Sequence, residues 1–133
     1  MAALVKSITF DCARPAALAR FWAAALGYSV RPYDAGEIAR LRARGIHDVE
    51  DDPSVAVDPP RGGGPTLFFT KVPEPKTVKN RVHLDLAPAL DMDAEVARLM
   101  EIGATIVRVH EDDGRRWTVM ADPEGNEFCV EEG

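Results

Sequence analysis

A histidine and an aspartate stand two positions apart within a stretch of alternating apolar and polar residues. His83 and Asp85 belong to the sequence RVHLDL, residues 81–86. Side chains at positions i and i+2 of a β-strand point to the same face of the sheet, with α-carbons about 6 to 7 Å apart. At that separation a carboxylate can orient an imidazole for proton transfer. We therefore predict that His83 and Asp85 are catalytic residues.

A structural interpretation of the same pair stays open. In it, His83 is a polar residue with satisfied hydrogen bonds in the sheet, and Asp85 caps the turn before the next helix. The other two histidines, His47 and His110, are predicted to be solvated residues of a loop or a strand end.

A near-copy of this stretch opens the first half of the chain. ITFDCA, residues 8–13, alternates in the same way, and Thr9 and Asp11 match His83 and Asp85. Alternation with a period of two is typical of a half-buried strand. Each half is therefore predicted to begin with a strand that has one apolar and one polar face.

The polar face of these strands is the predicted binding surface. Arg81 is expected deep in a cleft, where a buried guanidinium needs Glu127 or a ligand carboxylate as its partner. Phe68 and Trp117 suit the wall of a cleft for a small organic molecule. The predicted ligand-binding residues are Thr9, Asp11, Phe68, Arg81, Trp117, Glu127 and Cys129.

Each half of the chain reads strand, helix, strand, strand, strand. Apolar residues recur at helical spacing in 16–26 and 92–102, and Gly27 and Gly103 mark the two helix ends. The predicted strands are 4–12, 28–31, 55–58, 66–70, 81–86, 104–110, 116–121 and 126–130.

Three segments of the first half are predicted to lie outside this repeat. Residues 36–45 form a short amphipathic insertion, and residues 47–54 form a solvated acidic loop. Residues 59–65 form a Gly-rich turn. We do not expect this turn to bind phosphate, because it leads into a strand and offers no helix N-terminus to an anion.

Composition excludes several classes of function. The 133 residues include 16 Lys and Arg against 22 Asp and Glu, a net charge of −6, without the basic runs that bind a nucleic-acid backbone. No apolar run approaches the ~18 residues of a membrane-spanning helix. Cys12 and Cys129 lack CxxC spacing and are expected to be buried free thiols. We expect a cytoplasmic protein that binds neither nucleic acid nor membrane.

The repeat predicts an α+β fold in a single domain, 1–133. Module 1 covers about 4–72, a linker 73–78, and module 2 about 79–131. The two tandem βαβββ modules are expected to form a curved, half-open mixed sheet with the helices on its outer face. The opposite face is then a concave polar surface.

The motifs of this repeat resemble those of a known superfamily. The doubled βαβββ order, FDCARPAALARFWAAALG, KTVKNRVHLDL and DPEGNEFCV together resemble the vicinal oxygen chelate superfamily. Within it the chain is most similar to the glyoxalase-like domains, which are relatives of glyoxalases, bleomycin-resistance proteins and extradiol dioxygenases. The resemblance covers essentially the whole chain.

The resemblance also implies where a metal would bind. Metalloenzymes of the superfamily place His, Glu or Gln early in the first strand and near the middle of the last strand of each module. Those positions are matched here by Ser7, Arg81, Phe68 and Cys129. Because these residues are not the expected ligands, we predict no cofactor and no metal, with a divalent metal as the less favoured alternative.

The resemblance leaves three classes of function open. The first is a small-molecule-binding protein that acts as a lyase or isomerase on a small polar organic compound. The second is a ligand-sequestering protein of the bleomycin-resistance type, without catalysis. The third is a dimer formed through a sheet edge, with no ligand of its own. We expect a small-molecule ligand and a homodimer.

Overall fold

The chain forms two compact units, each with its own four-stranded sheet. The computed structural model describes residues 1–132, and the units are Met1–Pro75 and the segment from Lys76 onward. Each unit contains a strand, a helix and three further strands in the predicted βαβββ order. The α+β fold with two tandem modules is therefore confirmed.

In the first unit, the sheet order is β1-β4-β3-β2, with β1 parallel to β4 and the other pairs antiparallel. A 3-10 helix at Val49–Asp51 lies between α2 and β3. The elements are β1 Ser7–Cys12, α1 Pro15–Leu26, β2 Ser29–Val30, α2 Ala35–Ala43, β3 Ser54–Asp58 and β4 Thr66–Lys71.

In the second unit, the sheet order is β5-β8-β7-β6, again with one parallel pair, β5 with β8. The elements are β5 Asp85–Leu86, α3 Met92–Glu101, β6 Thr105–Asp112, β7 Arg115–Ala121 and β8 Glu127–Glu131. Among residues 1–132, no helix has both the length and the apolar character needed to span a membrane.

One face of each sheet is covered by a helix. In the first unit the ring of Phe10 stacks on Trp22 of α1 at 5.7 Å and on Phe69 at 5.1 Å between centroids. In the second unit Met92 of α3 and Phe128 of β8 are both buried. Burying one such side chain stabilises the folded state by about 1.5–3 kcal/mol. The apolar side of each alternating strand therefore packs against the helix.

The helix ends repeat between the units. Gly27 follows α1 with φ 68°, and the Tyr28 N–H donates to the Ala23 carbonyl at 3.0 Å. After α3 the Ala104 N–H donates to the Leu99 carbonyl, also at 3.0 Å. The matching of the two helix ends predicted from the repeat is confirmed.

The matching of the two first strands is shifted by two residues from the prediction. Phe68 and Cys129 are the third residues of β4 and β8. Phe68 lies opposite Thr9, whereas Cys129 lies opposite Asp85. Thr9 therefore corresponds to Asp85, and the expectation that it corresponds to His83 is wrong.

The strand predicted at 81–86 is much shorter in the structure. It is confined to β5, Asp85–Leu86, and Val82, which was expected to face the helix, is 78% exposed. The partner strand β8 begins only at Glu127, after the turn at 122–125. Residues before His83 therefore have no strand to pair with.

The acidic segment 47–54 is not fully solvated. Asp52 is 7% exposed and accepts hydrogen bonds from the Tyr33 hydroxyl at 2.6 Å and from the Ser54 N–H at 3.0 Å. Burial, with the Asp52 carboxylate as a further cause, raises the pKa of Tyr33. This buried acid was not predicted, because its hydroxyl partner lies 19 residues away.

Asp122 organises the turn that leads into β8. Its side chain is buried, with 3% of the residue exposed. It accepts hydrogen bonds from the Glu124 N–H at 2.9 Å and from the Asn126 N–H and side-chain amide, both at 3.0 Å. Because β8 follows at once, Asp122 sets where the last strand begins.

Replacing Asp122 by Ala is expected to lower the free energy of unfolding by about 2–4 kcal/mol, since three donors lose a charged acceptor. Urea denaturation followed by circular dichroism measures this. Asp112→Ala is the control: this aspartate is exposed, so a change within about 0.5 kcal/mol is expected. Equal losses in both variants would contradict the role of Asp122.

Candidate functional site

The face of the second sheet opposite α3 carries a cavity. Its volume is about 440 Å³, within the range of about 300–1,000 Å³ that small-molecule sites occupy. On the other face, the Thr118 hydroxyl contacts the Met92 sulfur of α3. The cavity is lined by Lys79, His83, Asp85, Val107, Arg108, His110, Trp117, Val119, Glu127, Cys129 and Glu131.

Strand pairing arranges most of these residues in two rows across the sheet. The first row consists of Asp85, Cys129, Val119 and Arg108, on four successive strands. The second row consists of Glu131, Trp117 and His110, on three successive strands. Residues of the two rows are two positions apart along each strand, so all point to the same face.

At one end of the first row, the Asp85 carboxylate is hydrogen-bonded to two side chains. His83 Nδ1 lies 3.0 Å from Asp85 Oδ1, and the Cys129 thiol is hydrogen-bonded to the same side chain. An ionised carboxylate only accepts hydrogen bonds, so Nδ1 of His83 carries the hydrogen, and in the neutral form of the ring Nε2 has the lone pair. The predicted pairing of His83 with Asp85 is therefore present, and Nε2 is available to take up a proton.

Cys129 is a buried thiol, as predicted, and it is 8% exposed. Burial raises the pKa of Cys129, and the negative charge and hydrogen bond of Asp85 raise it further. A raised pKa keeps the sulfur protonated near neutral pH, whereas a nucleophilic cysteine needs a thiolate. Cys129 is thus a polar wall residue and not an activated nucleophile.

The aromatic wall consists of two stacked rings. The His110 and Trp117 rings lie 5.0 Å apart between centroids with an angle of 9°, and Arg108 Nε donates to His110 Nε2 at 3.0 Å. Trp117, predicted as a wall residue of a cleft, lines this cavity. The expectation that His110 is solvated is wrong, because it is half-buried against Trp117.

The position of His110 in the sheet is encoded by a turn in the sequence. Asp113 and Gly114 have φ of 48° and 75°, as in the two-residue hairpin turns that Asp-Gly favours. Such a turn places His110 directly opposite Trp117, as the pairing shows. The same turn places Arg108 opposite Val119, because the register shifts only beyond Arg108, between it and Ile106.

Arg81 and Glu127 do not form the predicted ion pair. Arg81 is exposed and does not line the cavity. The Glu127 carboxylate accepts from Lys76 at 3.1 Å and from the Asn80 N–H at 2.9 Å. With β8 beginning at Glu127, Arg81 falls opposite the preceding turn, so its predicted burial is wrong.

The other predicted ligand-binding residues lie in the first unit. Thr9 and Asp11 are exposed residues of β1. Phe68 of β4 is half-buried, and the Arg31 guanidinium carbon lies 5.8 Å from its ring centroid. Arg31 in turn binds both oxygens of Asp58, at 2.8 and 2.9 Å. Phe68 thus supports a paired cation on the face opposite α1.

The donor set does not fit the metal that the resemblance implies. With the corrected strand matching, the four positions are Ser7, Phe68, His83 and Cys129, and Phe68 offers no donor atom. His83, Asp85 and Cys129 have ligand atoms within 4.8 Å of one another, but Asp85 already accepts hydrogen bonds from both neighbours. A protonated thiol must lose its proton before it binds a metal. The cluster is satisfied by its own hydrogen bonds.

Comparison with known protein families finds a match over nearly the whole chain. Residues 7–131 match the family described as Glyoxalase-like domain. No curated protein sequence matches the chain.

Solved structures with the same fold cover nearly the whole chain. The fosfomycin resistance protein FosX from Mesorhizobium loti is 13% identical, with a TM-score of 0.68 over 100% of this chain and 94% of its own. A glyoxalase/bleomycin resistance protein/dioxygenase family enzyme from Burkholderia phytofirmans PsJN is 16% identical, with a TM-score of 0.66 over 98% of each chain. A glyoxalase-related enzyme from Fulvimarina pelagi is 15% identical, with a TM-score of 0.65 over 99% and 89%. At these identities the likeness concerns the fold alone.

The thiol of Cys129 is expected to react slowly with iodoacetamide at neutral pH, because its raised pKa leaves little thiolate. The measurement is alkylation followed by mass spectrometry in a Cys12→Ser background, where Cys129 is the sole cysteine. Adding Asp85→Asn removes a negative charge that raises this pKa and should accelerate alkylation severalfold. An unchanged rate would show that Asp85 does not hold the thiol proton.

Protein purified without chelator is expected to contain well under one equivalent of transition metal. Elemental analysis by inductively coupled plasma mass spectrometry provides the measurement. His83→Ala serves as the control, because loss of the imidazole should not change a metal content that is already negligible. One equivalent of an ion that disappears in His83→Ala would show that His83 and its neighbours do hold a metal.

Proposed function

We propose, starting from the fact that the chain belongs to the family of glyoxalase-like domains, that it binds a small polar organic molecule in the cavity of its second unit. The proposal rests on one observation: the His83–Asp85 pair, at 3.0 Å, opens on a cavity of about 440 Å³. An oriented imidazole beside a space of ligand size is a typical arrangement for recognition or proton transfer.

Within that cavity, we assign His83 the role of general acid or base. Its Nδ1 is held by Asp85, so Nε2 can exchange a proton with a bound molecule. Lys79 and Arg108, which also line the cavity, supply positive charge that would stabilise an oxyanion formed by proton removal. This chemistry is that of a lyase or isomerase acting without a metal ion.

Sequestration without catalysis is the second candidate, and one observation favours it. The metal-ligand positions of the family are degenerate here, and chelate chemistry has no electrophile without a metal. A protein of this kind would use His83 and Asp85 only to hydrogen-bond its ligand. The two candidates therefore share the cavity and differ in whether a proton moves.

A thermal-shift screen with small organic acids, amides and alcohols is expected to identify compounds that raise the melting midpoint, because they bind the folded state alone. His83→Ala should weaken binding of such a compound at least about tenfold, given the ~1.5–3 kcal/mol of a charge-assisted hydrogen bond. Arg81→Ala is the matched control, since Arg81 lies outside the cavity lining, and it should bind as the parent does.

Deuterium exchange separates the two candidates. If His83 is a base, incubation in D₂O should place deuterium in the bound compound, as detected by mass spectrometry, and His83→Ala should abolish this incorporation. Binding without incorporation would favour sequestration. A screen in which no compound depends on His83 would refute the proposal as a whole.

A further inference from the structure

Arg108 is a fixed positive charge on the cavity face of β6. Its side chain donates from Nε to His110, and among residues 1–132 no carboxylate lies within ion-pairing distance of its guanidinium. By contrast, Arg116 on the neighbouring strand binds two carboxylates, those of Asp93 and Glu132. The guanidinium of Arg108 is therefore oriented by a neutral acceptor and keeps its charge for another partner.

The acids of the cavity do not pair with Arg108. Glu131 lies on β8, two strands away from β6, and forms no ion pair with Arg108. Glu127 is neutralised by Lys76 at 3.1 Å, and Asp85 is bonded to His83. Asp85 is also separated from Arg108 by two strands of the first row. With strands about 4.8 Å apart, the two α-carbons are about 14 Å from each other. The cavity therefore has a cationic end at β6 and an imidazole-carboxylate end at β5.

Between the two ends the wall includes the apolar side chains of Trp117 and Val119. Trp117 is stacked on His110, and Val119 lies next to Arg108 across the pair of strands. A stacked indole that also faces a cavity offers a surface to a planar ring. The second row thus supplies a stacking platform beside the cationic end.

We infer that the cavity takes an aromatic carboxylic acid, with the carboxylate on Arg108 and the ring against Trp117. Guanidinium groups bind carboxylates through paired N–H donors, and the two η nitrogens of Arg108 remain for such a fork. A polar substituent at the far end of the ring then points toward His83 and Asp85. This inference rests on the proposed function and specifies its ligand class.

The test uses the full chain with benzoate, 4-hydroxybenzoate and benzamide, the last being a neutral analogue of similar shape. Calorimetric titration is expected to show binding of both acids at least about tenfold tighter than that of benzamide. Arg108→Gln should weaken binding of the acids about 10- to 100-fold, the equivalent of a charged hydrogen bond, and leave benzamide unchanged. Arg108→Lys should restore part of the preference for the acids.

Two further measurements make the result specific. Arg115→Gln, an exposed arginine of β7 outside the cavity, should bind the acids as the parent does. Tryptophan fluorescence should be quenched by the acids, because the other tryptophan, Trp22, is 1% exposed and lies in the first unit. Saturable quenching that persists in Trp22→Phe assigns the signal to Trp117.

The outcomes separate the inference from the proposed function. Equal binding of benzoate and benzamide, or benzoate binding that is unchanged in Arg108→Gln, would overturn the inference. A neutral compound that binds in a His83-dependent manner and more tightly than either acid would do the same and would leave the proposed function standing. Failure of every screened compound to bind would overturn both.

Discussion

The parallel pairing of the first strand with the last strand of each unit is the constraint on which the candidate site depends. In the second unit it places Asp85 opposite Cys129, 44 positions later in the chain. Everything on the cavity face follows from that register, because β8 aligns β7, and β7 aligns β6. A shift of one residue would turn Asp85 toward α3 and replace it with an apolar neighbour.

This pairing is held by polar contacts as well as by the core. Cys129 donates its N–H to the Leu84 carbonyl at 2.9 Å, and Asp122 fixes the turn from which β8 starts. Glu127 binds the Asn80 N–H, which ties the chain before β5 to the first residue of β8. These contacts explain how a strand of only two residues, β5, can be placed accurately.

Charge compensation decides which polar groups of the second unit are free to act. Glu127 is paired with Lys76, and Arg116 is paired with two acids, so these groups contribute to structure. Asp85 is shared between an imidazole and a thiol, which orients His83 and keeps the Cys129 proton in place. The groups left for a ligand include the Nε2 of His83 at one end of the cavity and the guanidinium of Arg108 at the other.

The sequence by itself determined the features that depend on local spacing. The βαβββ order follows from periodicities of 2 and 3.6 residues, and the His83–Asp85 pair follows from the i, i+2 geometry of an extended chain. The helix ends at Gly27 and Gly103 are equally local. An Asp-Gly turn also encodes the pairing of His110 with Trp117.

Only the tertiary structure decided which residues join that pair. Arg81 is exposed, contrary to the prediction, because β8 begins too late in the chain to pair with it. The residue at which β8 begins depends on the Asp122 turn. Asp52 became buried through a hydroxyl from a distant segment. In both cases the deciding contact joins groups that are remote in the chain, and residue spacing carries no record of it.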